Sequence, residues 1–133
     1  MVLAPGRMNV RQLCQALFAS VPRSRPVDCF TRIRSGTALL VDVREAREWH
    51  KGVAEHAVLL PLSDLVRSRR QWAPFLAAAS GRELVLYCGV GARAAIAGKL
   101  LAAEGFSPTN GGGLKAWVAA GWPVVRPDAL PKS

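Results

Sequence analysis

The sequence predicts an α/β fold, a mostly parallel central sheet covered by helices on both faces, and three observations support it. Short, uninterrupted apolar runs alternate along the chain with stretches of helical periodicity, the order that βαβ units produce. The clearest run, Thr37-Ala-Leu-Leu-Val-Asp-Val43, lacks the in-out alternation of a half-solvated strand, so both of its faces should be covered. Finally, 133 residues with half of them hydrophobic suffice for one core and leave no room for a second.

The elements follow in order. From Asn9, a suitable N-cap, Val10, Leu13, Cys14, Leu17 and Phe18 recur at helical spacing until Pro22 and Pro26 end the pattern, so residues 1–26 read as a helix and linker. Residues 27–34 read as a second short helix, with Asp28 near its start, Phe30 and Ile33 facing inward and Gly36 closing it. The 37–43 run is the first strand, Val58-Leu-Leu60 before Pro61 the second and Glu83-Leu-Val-Leu-Tyr87 the third. Residues 62–66 and 72–79 between the last two read as helices. Residues 92–104, rich in alanine and leucine and stopped by Gly105, form a strong helix. A strand at 106–109 and a helix at 114–120 complete the series, and residues 126–133, with two prolines, read as a flexible tail. No repeat or low-complexity tract is present.

Eighteen Lys and Arg against nine Asp and Glu give a net charge of +9, a field that concentrates anions around the protein. The arginines are scattered and no nucleic-acid-binding motif accompanies them, so no specific nucleic-acid partner is expected. The apolar runs fall short of the ~20 residues a membrane span needs. Three cysteines, Cys14, Cys29 and Cys88, lie too far apart for a metal-binding pair and leave one thiol unpaired in any disulfide scheme, which fits a reducing, cytoplasmic compartment. The absence of acidic residues before Asp28, with Arg7, Arg11, Arg23 and Arg25 in that stretch, leaves a mitochondrial transit peptide and a matrix location as the alternative. Cys14 sits on an apolar stripe and reads as a packing residue. His50 and His56 have no ligand at metal-binding spacing, so no metal site and no cofactor is expected.

Cys88 stands apart. It follows the strand ending at Tyr87, and Gly89-Val90-Gly91-Ala92-Arg93 leads from it into the 92–104 helix. In open α/β sheets the binding crevice lies at this place, beyond the carboxyl end of a strand. The two glycines let backbone N–H groups converge, and the helix adds its positive end, so the loop is built to hold an anion: a thiolate, an anionic substrate, or both in turn. A helix start beside an arginine is the kind of setting that favours a reactive thiolate. Arg93, in the first helical turn, is badly placed unless it faces a negative group. Gly89-x-Gly91-x-x-Ala94 also matches a dinucleotide-binding fingerprint, but no acidic residue lies in 106–113 to hold a ribose, and too little chain follows to complete such a domain. No G-x-x-x-x-G-K-[ST] phosphate loop occurs.

Four segments in order, Leu39-Leu-Val-Asp-Val-Arg-Glu-Ala-Arg-Glu-Trp49, residues 57–65, Leu84-Val-Leu-Tyr-Cys-Gly-Val-Gly-Ala-Arg93 and Asn110-Gly-Gly-Gly-Leu-Lys-Ala-Trp117 with Gly121-Trp-Pro123, resemble the single-domain rhodanese-like (thiosulfate sulfurtransferase) family. The resemblance covers roughly residues 27–125, which would be the rhodanese-like domain, and implies a central, mostly parallel sheet of five strands. It implies that Cys88 is the catalytic nucleophile, that Gly89, Val90, Gly91, Ala92 and Arg93 bind substrate, and that Asp42 and Arg44 support the site, with Arg44 held by an acidic neighbour such as Glu48. The loop from Cys88 to Arg93 has the six-residue length of the sulfurtransferases, whereas the related cell-cycle phosphatases use one residue more. The segment Gly52-Val-Ala-Glu-His-Ala57 departs from the family's usual Gly-His-Ile-Pro-Gly-Ala.

The implied activity is a two-step transfer in which Cys88 takes a sulfane sulfur from a small anionic donor such as thiosulfate, then passes it from a persulfide to cyanide or a thiol, a protein thiol included. A second reading stays open: a non-enzymatic module that binds a protein partner, or a protein-to-protein sulfur relay. The loop's sparse charge, with Val90 and Ala92 uncharged, suits low thiosulfate turnover.

Overall fold

The protein is described here by a computed structural model covering residues 10–11 and 20–127. Most of the expected first helix, Cys14 included, and the tail beyond residue 127 lie outside the described residues. The described elements are α1 (Pro26–Ser35), β1 (Ala38–Asp42), α2 (Ala46–Trp49), β2 (Val53–Ala54), β3 (Val58–Leu59), α3 (Leu62–Leu65), α4 (Trp72–Ala78), β4 (Glu83–Cys88), α5 (Ala92–Ala103), β5 (Ser107–Gly113), α6 (Leu114–Ala119) and β6 (Val124–Val125).

The sheet order is β3-β1-β4-β5 and every pairing in it is parallel. Four strands form the sheet proper. The fifth position, beside β5, is a single parallel bridge from Arg23 to Asn110, held by Asn110 N–H donating to the Pro22 carbonyl (2.8 Å) and Ser24 N–H donating to the Asn110 carbonyl (3.1 Å). Pro22 and Pro26 flank that bridge, and a proline has no N–H to extend a ladder, so the contact stays at one rung. Three elements escape the sequence pattern: β2 and β6 pair antiparallel as a separate two-stranded ribbon, and α2 is a single turn. Each is too short to show a period. α2 is instead marked by a capping box, Glu45 and Glu48 satisfying each other's backbone donors.

Period-two alternation along the strands divides the core. Val41, Val43, Leu84, Leu86 and Cys88 face α3, α4 and α5, where Leu65, Trp72, Leu76, Ala97 and Leu101 pack on them. Leu40, Val85 and Tyr87 face the other way, onto Cys29, Ile33, Trp117 and Trp122 of the α1 and α6 side. The two fully buried tryptophans also satisfy their N–H groups, Trp72 Nε1 donating to the Pro61 carbonyl and Trp117 Nε1 to the Gly111 carbonyl, each at 2.9 Å. Cys29 is buried and free, its thiol donating to the Arg25 carbonyl at 3.5 Å.

β5 runs on through the glycines to Gly113, four residues beyond the strand expected from the apolar pattern. Glycine weakens strand propensity, but here the neighbours demand it: a Cβ at Gly111 would sit 3.0 Å from Val85 Cγ1 and 3.2 Å from Trp117 Cζ2.

Candidate active site

The site is assembled at the carboxyl ends of β1, β4 and β5. Cys88 is the last residue of β4 and is completely buried. Alternation along β4 sends its side chain to the α5 face and that of Tyr87 to the other, so neighbouring residues serve separate polar clusters.

On the α5 face, the backbone turns back over the sulfur. Gly91 N–H donates to Cys88 Sγ at 2.9 Å. Gly91 is also the N-cap of α5, with φ 99°, a left-handed conformation that a side chain would strain. The glycine is thus needed to aim that N–H at the sulfur. Val90 forms the rim of the loop at 87% exposure, and Ala92 begins the helix. Gly89 faces β5: a Cβ on Gly113 would lie 2.2 Å from the Gly89 carbonyl oxygen. Asn110 ties the same parts together, Nδ2 donating to the Gly91 carbonyl (3.2 Å) and Oδ1 accepting from Gly112 N–H (2.9 Å). The loop is therefore braced against β5 by one amide side chain and by glycines that admit backbone-to-backbone contact.

Arg93 meets the negative group that its helical position requires. Its guanidinium donates to both oxygens of Glu48, Nη1 at 2.6 Å and Nη2 at 3.0 Å, in a two-pronged pair. Hydrogen bonding from Arg93, against an opposing effect of partial burial, lowers the Glu48 pKa from 4.5 to about 2. The pair also raises Arg93 above its ordinary value. Because the folded value of Glu48 lies below the unfolded one, the pair's stabilisation is complete above about pH 4.5 and is lost as pH falls toward 2. Both side chains are about one-third exposed, so the contribution is about 1 kcal/mol or less. Acid titration of stability should show this loss in the wild-type protein and a flatter slope over that window in Glu48→Gln. Identical slopes would contradict the pairing.

On the other face, Asp42 and Arg44 form a buried ion pair. Arg44 Nη2 donates to Asp42 Oδ2 at 2.9 Å and to the Gly52 carbonyl at 2.8 Å, Nε reaches both Asp42 oxygens at 3.1 Å, and the Arg44 backbone N–H caps Asp42 Oδ1. Tyr87 OH donates to Asp42 Oδ2 at 2.6 Å and accepts from Ala54 N–H. Burial, with Asp42 beside it, pushes the Tyr87 pKa up and keeps the phenol neutral. Arg44 is held by an acidic neighbour, as expected, but that neighbour is Asp42 and not Glu48: from Glu48 Arg44 receives only the backbone carbonyl (3.4 Å), and the Glu48 carboxylate is committed to Arg93. The two arginines are sorted by the pleat, since Asp42 pairs in register with Tyr87 on the face away from the thiol.

The structure therefore brings Gly89, Gly91 and Arg93 around Cys88 and keeps Asp42 and Arg44 behind the sheet as a brace for the β1–β2 connection. Glu48, Tyr87 and Asn110 were not assigned these roles from sequence. For Asn110 a signal exists, a lone amide followed by three glycines at a strand end. His50 and His56 stand apart, the first against the Arg47 carbonyl and the second beside Glu55.

The family model for the rhodanese-like domain matches residues 28–120. The chain belongs to the rhodanese-like domain family. Among its relatives, a protein named sulfurtransferase from Allochromatium vinosum is 34% identical over 92 residues, covering 68% of this chain and 80% of that one. A rhodanese-related protein of Thermoplasma volcanium superposes with a TM-score of 0.65 at 26% identity over 78% of this chain and 97% of its own. A Rhodopseudomonas palustris protein of unknown function, described as a possible tyrosine phosphatase, superposes at 0.67 with 25% identity over 94% and 99%. The rhodanese-like domain match and the sulfurtransferase-named relative support a sulfurtransferase family. Among the described residues no helix of this rhodanese-like protein is long and apolar enough to cross a membrane.

Proposed function

We propose that the protein transfers sulfane sulfur through a persulfide on Cys88, within a domain spanning residues 27–125. The observation that carries this reading is the Gly91 N–H on Cys88 Sγ at the head of a six-residue loop, because a backbone donor aimed at sulfur serves a thiolate and then a persulfide anion. In the first step the Cys88 thiolate attacks the outer sulfur of a donor. With thiosulfate the S–S bond breaks, sulfite leaves with the electron pair, and Cys88 carries the extra sulfur. In the second, cyanide or a thiolate attacks that outer sulfur and Cys88 departs as thiolate. The sulfur is fully buried under the loop, whose rim is the exposed Val90. Gly89 to Arg93 hold the substrate and Asp42 and Arg44 support it from behind.

The loop's charge favours donors other than thiosulfate. Arg93 is the loop's cation, and Glu48 already neutralises it. A protein-to-protein sulfur relay, or a binding module without turnover, is the second reading that this neutralisation supports. The six-residue loop disfavours phosphate-ester hydrolysis.

Mass spectrometry after mixing with thiosulfate or an organic persulfide tests the proposal. A gain of one sulfur mass is expected in the wild type and none at this site in Cys88→Ala. No gain with any donor, or a gain that persists in Cys88→Ala, rejects it. Partner capture by Cys88→Ser, beside a wild type that shows no turnover with cyanide, would favour the binding module.

A further inference from the structure

A cleft of about 280 Å³ opens beside the Cys88 loop, between that loop, the first two turns of α5 and the bridged segment at Arg23. Its floor is shared with the reactive loop. Gly91, whose N–H holds the sulfur, and Ala92 line it, and Asn110, which anchors Gly91, forms part of its wall. The opposite wall is pinned in place: the backbone around Arg23 is bonded on both sides to Asn110, and Val21 lies so close to α5 that a Cβ on Gly98 would come within 2.9 Å of its Cγ1.

Among the described residues two cations line this cleft, Arg23 and Lys99, and no acidic residue does. Among the described residues neither cation makes an ion pair or a side-chain hydrogen bond, whereas Arg32, Arg44, Arg69 and Arg93 are each committed to a carboxylate. The positive end of α5, at Ala92, adds to the same field. So the charge that the loop lacks, because Glu48 takes Arg93, is present a few residues away and uncompensated. The cleft is also near the lower bound for organic ligands and larger than a small oxyanion requires. Val90 lines the cleft and the buried Cys88 does not, so a molecule using both must carry its negative groups several bonds from its reactive sulfur. Thiosulfate cannot.

We propose that this cleft binds the carboxylate end of a small organic thiol or persulfide, with Arg23 and Lys99 as its charge partners. The assignment rests on sulfur transfer at Cys88 and names the substrate class for it. In the donor direction the Cys88 thiolate attacks the terminal sulfur of R–S–SH, the S–S bond breaks, and R–S⁻ leaves with the electron pair while Cys88–S–SH forms. The acceptor direction is the reverse.

S-methylglutathione, an unreactive thioether with two carboxylates, is the probe, titrated into the full-length isotope-labelled protein and followed by amide NMR. Shifts are expected at Val90, Gly91, Ala92, Lys99 and Asn110. Affinity should fall about tenfold in Lys99→Glu or Arg23→Glu, the loss expected for one charge-assisted hydrogen bond, and similarly for the dimethyl ester of the probe. Shifts elsewhere, or equal affinity in the charge-reversed variants, overturn the assignment. Cys88 persulfidation by glutathione persulfide, read by mass in the same preparations, separates the two ideas. Persulfidation without probe binding overturns the cleft and leaves sulfur transfer standing, whereas binding without any persulfidation overturns the sulfur-transfer reading beneath it.

Discussion

Asp42→Ala should destabilise the protein by about 3–5 kcal/mol, the loss typical when one partner of a buried ion pair is removed. Asp42 is completely buried and Arg44 is 7% exposed, so water cannot replace what is lost. The carboxylate accepts from the Arg44 side chain, the Arg44 backbone and Tyr87 OH. Without it the guanidinium keeps only the carbonyls of Gly52 and Glu48, and a buried phenol loses its acceptor. Denaturant unfolding of Asp42→Ala reads the effect directly. The double variant Asp42→Leu, Arg44→Met should recover much of the loss, because it removes both charges together. A cost below about 1 kcal/mol for Asp42→Ala would contradict the pairing.

Gly113→Ala is expected to slow sulfur transfer by about 100-fold, since a displacement of about 1 Å at a reacting group has that order of effect. The added Cβ would lie 2.2 Å from the Gly89 carbonyl oxygen, 2.9 Å from its carbon and 3.1 Å from Val90 Cα. All three are backbone atoms, so no side chain can rotate away and the loop itself must shift. Overpacking of this kind also costs about 1–3 kcal/mol. Gly112→Ala separates the two effects. Its φ is 84°, so alanine is strained there by about 1 kcal/mol, but a Cβ would meet nothing within 4 Å. Persulfidation rates should therefore fall sharply in Gly113→Ala and remain near wild type in Gly112→Ala when both proteins are folded. Equal rates in Gly113→Ala and wild type would show that the loop is not braced by β5.

Local pattern carried much of this. The apolar runs at 37–43 and 83–87 and the helices at 26–35 and 92–103 are visible because burial on two faces, or on one stripe, leaves a period in the residues themselves. The Cys88 loop was visible for a similar reason, its glycines, arginine and helix start being contiguous. The β2–β6 ribbon was not, since two-residue strands have no period and their pairing joins Val53 to Val125 across most of the domain. The glycine run at 111–113 fell outside the expected strand because its strand geometry comes from what surrounds it.

Sequence by itself determined the fold class, the order of the main elements and the position of Cys88 at a strand end before a helix. All of these depend on residues near one another in the chain. Tertiary structure alone decided which acid meets which arginine. Asp42, Glu45 and Glu48 and the arginines Arg44 and Arg93 allow several pairings on paper. The pleat sends Asp42 to the Tyr87 face and leaves Glu48 to cross to Arg93, because side-chain direction in a strand is fixed by alternation while partners across the sheet are chosen by register.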